Sequence, residues 1–333
     1  MPHTVAVTGA SGLIGSALVT ALRARGDRAI ALVRRAAYGP DERSWDPASG
    51  TLDPAVLDGV DAVVNLAGVG VGDKRWTTAH KREILRSRVN ATQAVASGIQ
   101  ASGRAIRLVN GSAVGYYGHR GEELLTEDRG PGVGFLSEVV QAWEGAVQSI
   151  LGGDPGAQSL PDGDPAAQSV LNGAAAAQSL PDGRPGGGVS VAFARTGIVA
   201  SAGGGAFAPL IRLTRFGLGG PIGRGRFFWP LISLADEVDA LLFLIDHPEI
   251  TGPVNVVGLE PARQRDVAAA LGAALHRPAR LPAPPPAVRV VVGEFAGEIT
   301  ASQRVLPAQL VEAGFQHRHR DLEAIIRFAT QAD

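Results

Sequence analysis

The sequence predicts a doubly wound α/β fold: a parallel sheet with helices on both faces, followed by a smaller, mostly helical lobe. Three observations predict it. Short, continuous apolar runs alternate with helical patterns from Thr4 to Arg195. A glycine-rich turn joins the first run directly to the first helical pattern. Of the 333 residues, 45% are apolar and 19% charged, enough to bury a sheet on both sides.

The elements follow in order. Thr4–Thr8 (TVAVT) is a short β-branched strand, then glycines, then a helix over Leu13–Arg25. Ala29–Val33 (AIALV) is a second strand and Asp61–Leu66 (DAVVNL) a third. Thr77 or Thr78 caps a long helix to about Ser102, with Leu85, Val89, Val95 and Ile99 at roughly helical spacing. Ile106–Val109 is a fourth strand, Phe135–Ile150 a helix and Val189–Ala194 a later strand. Beyond Arg195, Gly-rich loops (SAGGGAFAP, FGLGGPIGRGR) alternate with helices at Ala235–Asp246 and Arg263–His276, and a terminal helix starts near Asp321. Residues 1–195 thus form the sheet domain and 196–333 the second lobe.

One segment breaks the rhythm. Between Gly156 and Pro185 Ala-Gln-Ser recurs at 157, 167 and 177, a ten-residue repeat rich in Gly, Pro and Ala. So few large apolar residues cannot offset the entropy of ordering them, so 153–187 reads as a disordered insertion, with three turns of a small solenoid as the alternative.

Composition also excludes. A formal charge of −1 gives no electrostatic reason for a nucleic-acid or membrane partner. Without cysteine there is no disulfide, thiolate nucleophile or zinc-thiolate site, and no metal cluster is expected. The start MPHTVAVTGASGLIG lacks a signal-peptide pattern, and no stretch of about 18 apolar residues occurs, so the expectation is a cytoplasmic protein.

The strongest motif is TGASGLIG, Thr8 to Gly15. Gly9 permits the tight turn, Gly12 close approach of backbone to a pyrophosphate, and Gly15 close helix–sheet packing. The helix that follows presents free N–H groups from Ser11, Gly12, Leu13 and Ile14 onward, at its positive dipole end. After the second strand, where an acid would bind the ribose of NAD, stand Arg34 and Arg35; guanidinium groups suit the 2′-phosphate of NADP(H).

With these residues in hand the sequence resembles the extended short-chain dehydrogenase/reductases, more narrowly the NAD-dependent epimerase/dehydratase branch related to nucleotide-sugar epimerases. The resemblance rests on TGASGLIG, NLAG (65–68), KRWT (74–77), SRVNAT (87–92), GSAVGYYG (111–118), WE (143–144), RTGIV (195–199), GLGGPIGRGR (217–226) and LPAQLVEAGF (306–315). It implies NADP(H) across the C-terminal edge of the sheet, with contacts at Arg34, Arg35, Leu66, Ala67, Gly68, Glu83, Arg88, Gly111 and Val199. It implies a small-molecule substrate, a sugar or nucleotide-sugar in relatives, a family-specific region over 280–330, and a homodimer as the candidate assembly. Arg224 and Arg226 fall where a nucleotide-sugar diphosphate lies in relatives; two surface arginines are the plainer reading.

The resemblance also exposes a gap. Short-chain dehydrogenases use a Tyr-x-x-x-Lys pair, in which the lysine lowers the phenol pKa from roughly 10 toward neutrality. Here Glu42, Arg120 and Gly121 stand four residues after the three tyrosines, and the only lysines are Lys74 and Lys81. Counting back from Glu144, the pair falls at Leu136 and Val140, and the usual serine at Ala113, beside Ser112. GYYG is left. Tyr116 or Tyr117, with Ser112 nearby, is the candidate acid; the alternative is packing under the nicotinamide. His119, Arg120, Glu127 and Asp128 read first as polar loop, with Glu127 or Asp128 as an acid near the substrate the second reading. Function then divides between an NADP(H)-dependent oxidoreductase or epimerase and a non-catalytic NADP(H)-binding sensor or partner-binding protein.

Overall fold

The computed structural model describes residues 2–151, 188–279 and 281–331. The repeat insertion expected at 153–187 lies outside the described residues. Seven parallel strands make the main sheet: β1 (Thr4–Thr8), β2 (Arg28–Val33), β3 (Glu42–Ser44), β4 (Ala62–Asn65), β5 (Arg107–Ala113), β7 (Val191–Thr196) and β11 (Gly252–Val256). Their order, β3-β2-β1-β4-β5-β7-β11, reverses direction between β1 and β4. Ligands of such sheets bind in the crevice at that switch point, beyond the carboxyl ends of the strands.

Strand alternation divides the core in two. Val5, Val7, Val64, Val109, Ala192 and Ala194 face α1 (Leu13–Arg25) and α5 (Leu234–Asp246). Ala6, Val63, Leu108, Val191 and Phe193 face α2 (Thr78–Ser102) and α3 (Phe135–Leu151). Both faces are apolar, which is why the strands read as continuous apolar runs. Thr77 caps α2, its hydroxyl accepting the His80 N–H at 3.1 Å, and Asp321 caps α10 (Leu322–Thr330) through Ala324 N–H at 2.7 Å.

Three expectations need correction. β5 runs on past Val109 to Ala113, because Asn110, Gly111 and Ser112 are buried and pair with Phe193, Ala194 and Arg195. Polar side chains hide that extension from a hydrophobicity reading. The strand expected at Val189–Ala194 lies at Val191–Thr196, two residues later, in register with that longer β5. The division at 195/196 does not separate two layers either: β11 and α5 come from the second part of the chain yet complete the first sheet. The remaining lobe has its own core, built from Phe207, Ile211, Trp229, Val267, Leu271, Ile325 and Ile326. Among the described residues no helix is long and apolar enough to cross a membrane.

Candidate active site at the sheet edge

The turn between β1 and α1 is shaped by backbone. Gly9 has φ +64°, and a Cβ there would lie 2.6 Å from the Leu66 carbonyl oxygen. A Cβ on Gly15 would lie 2.2 Å from the Gly9 oxygen, so helix and turn touch without room for a methyl group. The Gly12 N–H donates to Gly9 O at 2.9 Å, and Gly12, as N-cap of α1, supplies no side chain to the first helical N–H groups. Those donors stay available to an anion. Ser11 is exposed, Leu13 and Ile14 half-buried.

A buried polar network pins the neighbouring strand ends. The Thr8 hydroxyl donates to Asn65 Oδ1 at 2.7 Å and accepts from the N–H groups of Leu66 (2.9 Å) and Ala67 (3.1 Å). Asn65 Nδ2 donates to Asn110 Oδ1 (2.8 Å) and Thr92 Oγ1 (3.0 Å), and the Trp143 indole donates to Thr92 at 2.9 Å. Every member is partnered, so the network fixes Leu66, Ala67 and Gly111 in place. A Cβ on Gly111 would lie 2.8 Å from Asn65 O.

The other expected cofactor residues are spread along this edge. Arg88 lies against Gly68, donating to the carbonyls of Val69 (2.9 Å) and Ile84 (3.1 Å), with its guanidinium 5.1 Å from the Trp143 ring centroid. Burial pulls its pKa down to about 10. Val199 is half-buried on β8 (Ile198–Ala200). Glu83 is exposed, 3.3 Å from His80 Nδ1 and 3.8 Å from Lys74 Nζ. Arg34 is exposed. Arg35 is held: its two terminal nitrogens grip both Glu42 oxygens at 2.7 Å, and its guanidinium stacks 4.4 Å from the Tyr38 ring centroid. An acid does follow β2, then, but it sits on β3 and binds the arginine.

The GYYG turn separates its two phenols. Tyr117 is fully buried. Its hydroxyl donates to Asn255 Oδ1 at 2.8 Å and accepts from Arg195 Nη1 at 3.1 Å; burial pushes its pKa up to about 12. Its burial and its two partners commit this phenol to the interior. Ser112 is likewise buried, donating to Glu144 Oε1 at 2.6 Å. Glu144 completes a bidentate pair with Arg195, Nε to Oε1 and Nη2 to Oε2, both at 2.8 Å. Burial works against the Arg195 charge, but Glu144 outweighs it and holds the guanidinium above its ordinary pKa. Tyr116 is half-buried. Its ring meets Tyr117 edge-on, centroids 5.3 Å apart, and the Arg195 guanidinium lies 3.5 Å from its centroid.

Leu136 packs against Gly115, and Val140 is 2% exposed, so the positions of the usual Tyr/Lys pair are apolar. Glu127 is buried and accepts the N–H groups of Asn255 (3.0 Å) and Gln309 (3.2 Å), which assigns it to structure. Asp128, Arg224 and Arg226 are exposed, and Arg120 pairs with Glu123 at 2.8 Å. His119 Nδ1 accepts the Ser302 N–H at 3.0 Å. The Glu144–Arg195 pair and Asn255 were not anticipated as partners. The motifs WE and RTGIV contain the first two, but only the register of β5 with β7 brings Ser112 opposite Arg195.

Comparison with known proteins places this geometry. Residues 5–132 match the NAD dependent epimerase/dehydratase family, and residues 283–329 match a domain family of unknown function. An epimerase family protein of Mycobacterium bovis is 38% identical, covering 98% of this chain and 97% of its own. A bovine epimerase family protein, SDR39U1, is 33% identical over 97% of this chain and 98% of its own. The crystal structure of the human epimerase family protein SDR39U1 with NADPH superposes with a TM-score of 0.80 at 28% identity, covering 98% of this chain and 99% of that one.

Proposed function

Because the chain belongs to the epimerase family, we propose that it binds NADP(H) along the C-terminal edge of the sheet and acts on a small or sugar-like hydroxyl/carbonyl substrate. The observation that carries the first part is the cradle at Gly9–Gly15. Two positions admit no Cβ, and the uncapped N-terminus of α1 faces the same space. A pyrophosphate fits such a cradle through backbone N–H donors and the helix dipole. NADPH, when bound, supplies hydride; the chain holds and orients it. Among the described residues Arg34 is the free cation beside β2 for the 2′-phosphate, and Arg35 reaches it by exchanging Glu42 for the phosphate. The relative crystallised with NADPH supports this choice of cofactor.

Tyr116 is then the group that donates a proton to a substrate carbonyl, since it is the half-buried phenol of the pair and the turn that bears it ends β5 at the same edge. The apolar Leu136 and Val140 favour a second reading, a non-catalytic NADP(H)-binding sensor. Titration with NADPH and NADH tests the first part: a preference for NADPH of at least about tenfold, some 1.4 kcal/mol, is expected and disappears in Arg34→Ala/Arg35→Ala. Equal affinities in the parent protein overturn it. Turnover tests the second part on small carbonyl compounds with NADPH: Tyr116→Phe lowers it by about 10²-fold with NADPH affinity retained. Full activity in that variant removes Tyr116 as the acid.

A further inference from the structure

A phenol that gives up a proton needs a nearby positive charge, and neither lysine provides one here. Lys81 pairs with Glu294, and Lys74 lies 3.8 Å from Glu83. β7 instead brings the Arg195 guanidinium over the face of the Tyr116 ring, 3.5 Å from its centroid. We propose that Arg195 is a positioning residue for Tyr116: it supplies through the ring face the charge that a lysine supplies in the Tyr-x-x-x-Lys arrangement, and Glu144 sets how much of it the ring feels. This rests on the reading of Tyr116 as the acid.

The physical case is direct. Ionisation of a phenol spreads negative charge into its ring, and a cation on the ring face stabilises that charge. Arginine suits the task better than lysine. Its planar group stacks on the ring while its fork grips a carboxylate, so one residue is both held and presented. The grip is the bidentate pair with Glu144, anchored further by Ser112 and by Tyr117. The pair is polarised, with Glu144 on the α3 side and the guanidinium over the two tyrosines. Burial pushes the Tyr116 pKa up, the Arg195 charge opposes that rise, and Glu144 adds to it. The groups facing Tyr116 are therefore Arg195 on β7, Glu144 on α3 and Tyr117 on its own turn; Glu127 acts on Tyr117.

The test uses the full chain with carbon-13 at the hydroxyl-bearing ring carbon of tyrosine. Only Tyr38, Tyr116 and Tyr117 contribute signals, and Tyr116→Phe identifies the one that matters. Glu144→Gln is expected to move the Tyr116 titration to lower pH, and Glu144→Gln/Arg195→Gln to move it above the parent, with Tyr38 unmoved throughout. General loosening cannot mimic this, because exposing a phenol raised by burial lowers its titration in both variants. A double variant that titrates at or below the parent overturns the proposal. Should the single variant fail to fold, the double against the parent decides by the same criterion. Adding NADP⁺ separates this proposal from the reading beneath it. A Tyr116 signal that responds to Arg195 but not to NADP⁺ overturns the acid role and leaves the coupling standing. One that responds to NADP⁺ but not to Arg195 overturns the coupling alone.

Discussion

Between Gly9 and Gly15 the chain is constrained by backbone, with added Cβ atoms meeting carbonyl oxygens at 2.6 and 2.2 Å. Between Ser112 and Tyr117, on the same sheet edge, the constraint comes from side chains: a buried ion pair, a serine, a phenol and an asparagine bonded in one network. The first region needs only glycines at fixed spacing. The second needs partners from β5, β7, α3 and β11 to arrive together. Cofactor capacity is therefore separable from chemistry. The cradle follows the pattern of the family, while the Tyr/Lys positions hold Leu136 and Val140.

Four tests probe that contrast. The largest effect belongs to Gly15→Val. With 2.2 Å available to a Cβ, turn and helix must move apart. NADPH affinity is expected to fall by 10²-fold or more, or the fold to be lost; titration and circular dichroism distinguish the two. Gly12→Ala, with 3.3 Å to Gly9 O, is the milder control.

Next comes Arg195→Met, which strands the Glu144 carboxylate in the interior. Breaking one partner of a buried pair costs about 3–5 kcal/mol. Denaturant unfolding should show a loss of that size, and Arg195→Met/Glu144→Leu should recover most of it. If the single variant is as stable as the parent, the network is not what holds this region.

A third test uses pH. Glu237 is fully buried beside the second region, its Oε1 accepting the Thr196 hydroxyl at 2.8 Å and its Oε2 without a partner among the described residues. Burial pushes its pKa up to about 8. The unfolded chain releases that proton at ordinary carboxylate pH, so the stabilising effect is complete below about pH 4.5 and is lost as pH rises through about 8. Glu237→Gln should flatten the fall between pH 5 and 8.5 and add about 4–5 kcal/mol at the alkaline end. Unfolding curves at three pH values check it, and parallel curves for both proteins would refute it.

The smallest effect separates the two tyrosines. Tyr117→Phe removes a buried hydroxyl with partners on both sides, costing about 1–3 kcal/mol. Tyr116→Phe should stay within about 0.5 kcal/mol of the parent. Equal losses would erase the distinction drawn between them.

Much was legible in the residues alone. The order of strands and helices, a cap at Thr77 or Thr78, the glycine turn and the missing lysine are local facts: hydrophobic period, φ requirements and spacing act over a few residues. Other features were not. That Glu42 grips Arg35, that β11 returns to the sheet, and that Asn255 meets Tyr117 across 138 positions depend on contacts far apart in sequence. Fold class and cradle therefore follow from local sequence. Which phenol is buried, and which carries a cation on its face, follows from packing between distant segments. A buried charge or hydroxyl must find a partner wherever the fold brings one, and local sequence does not specify that partner.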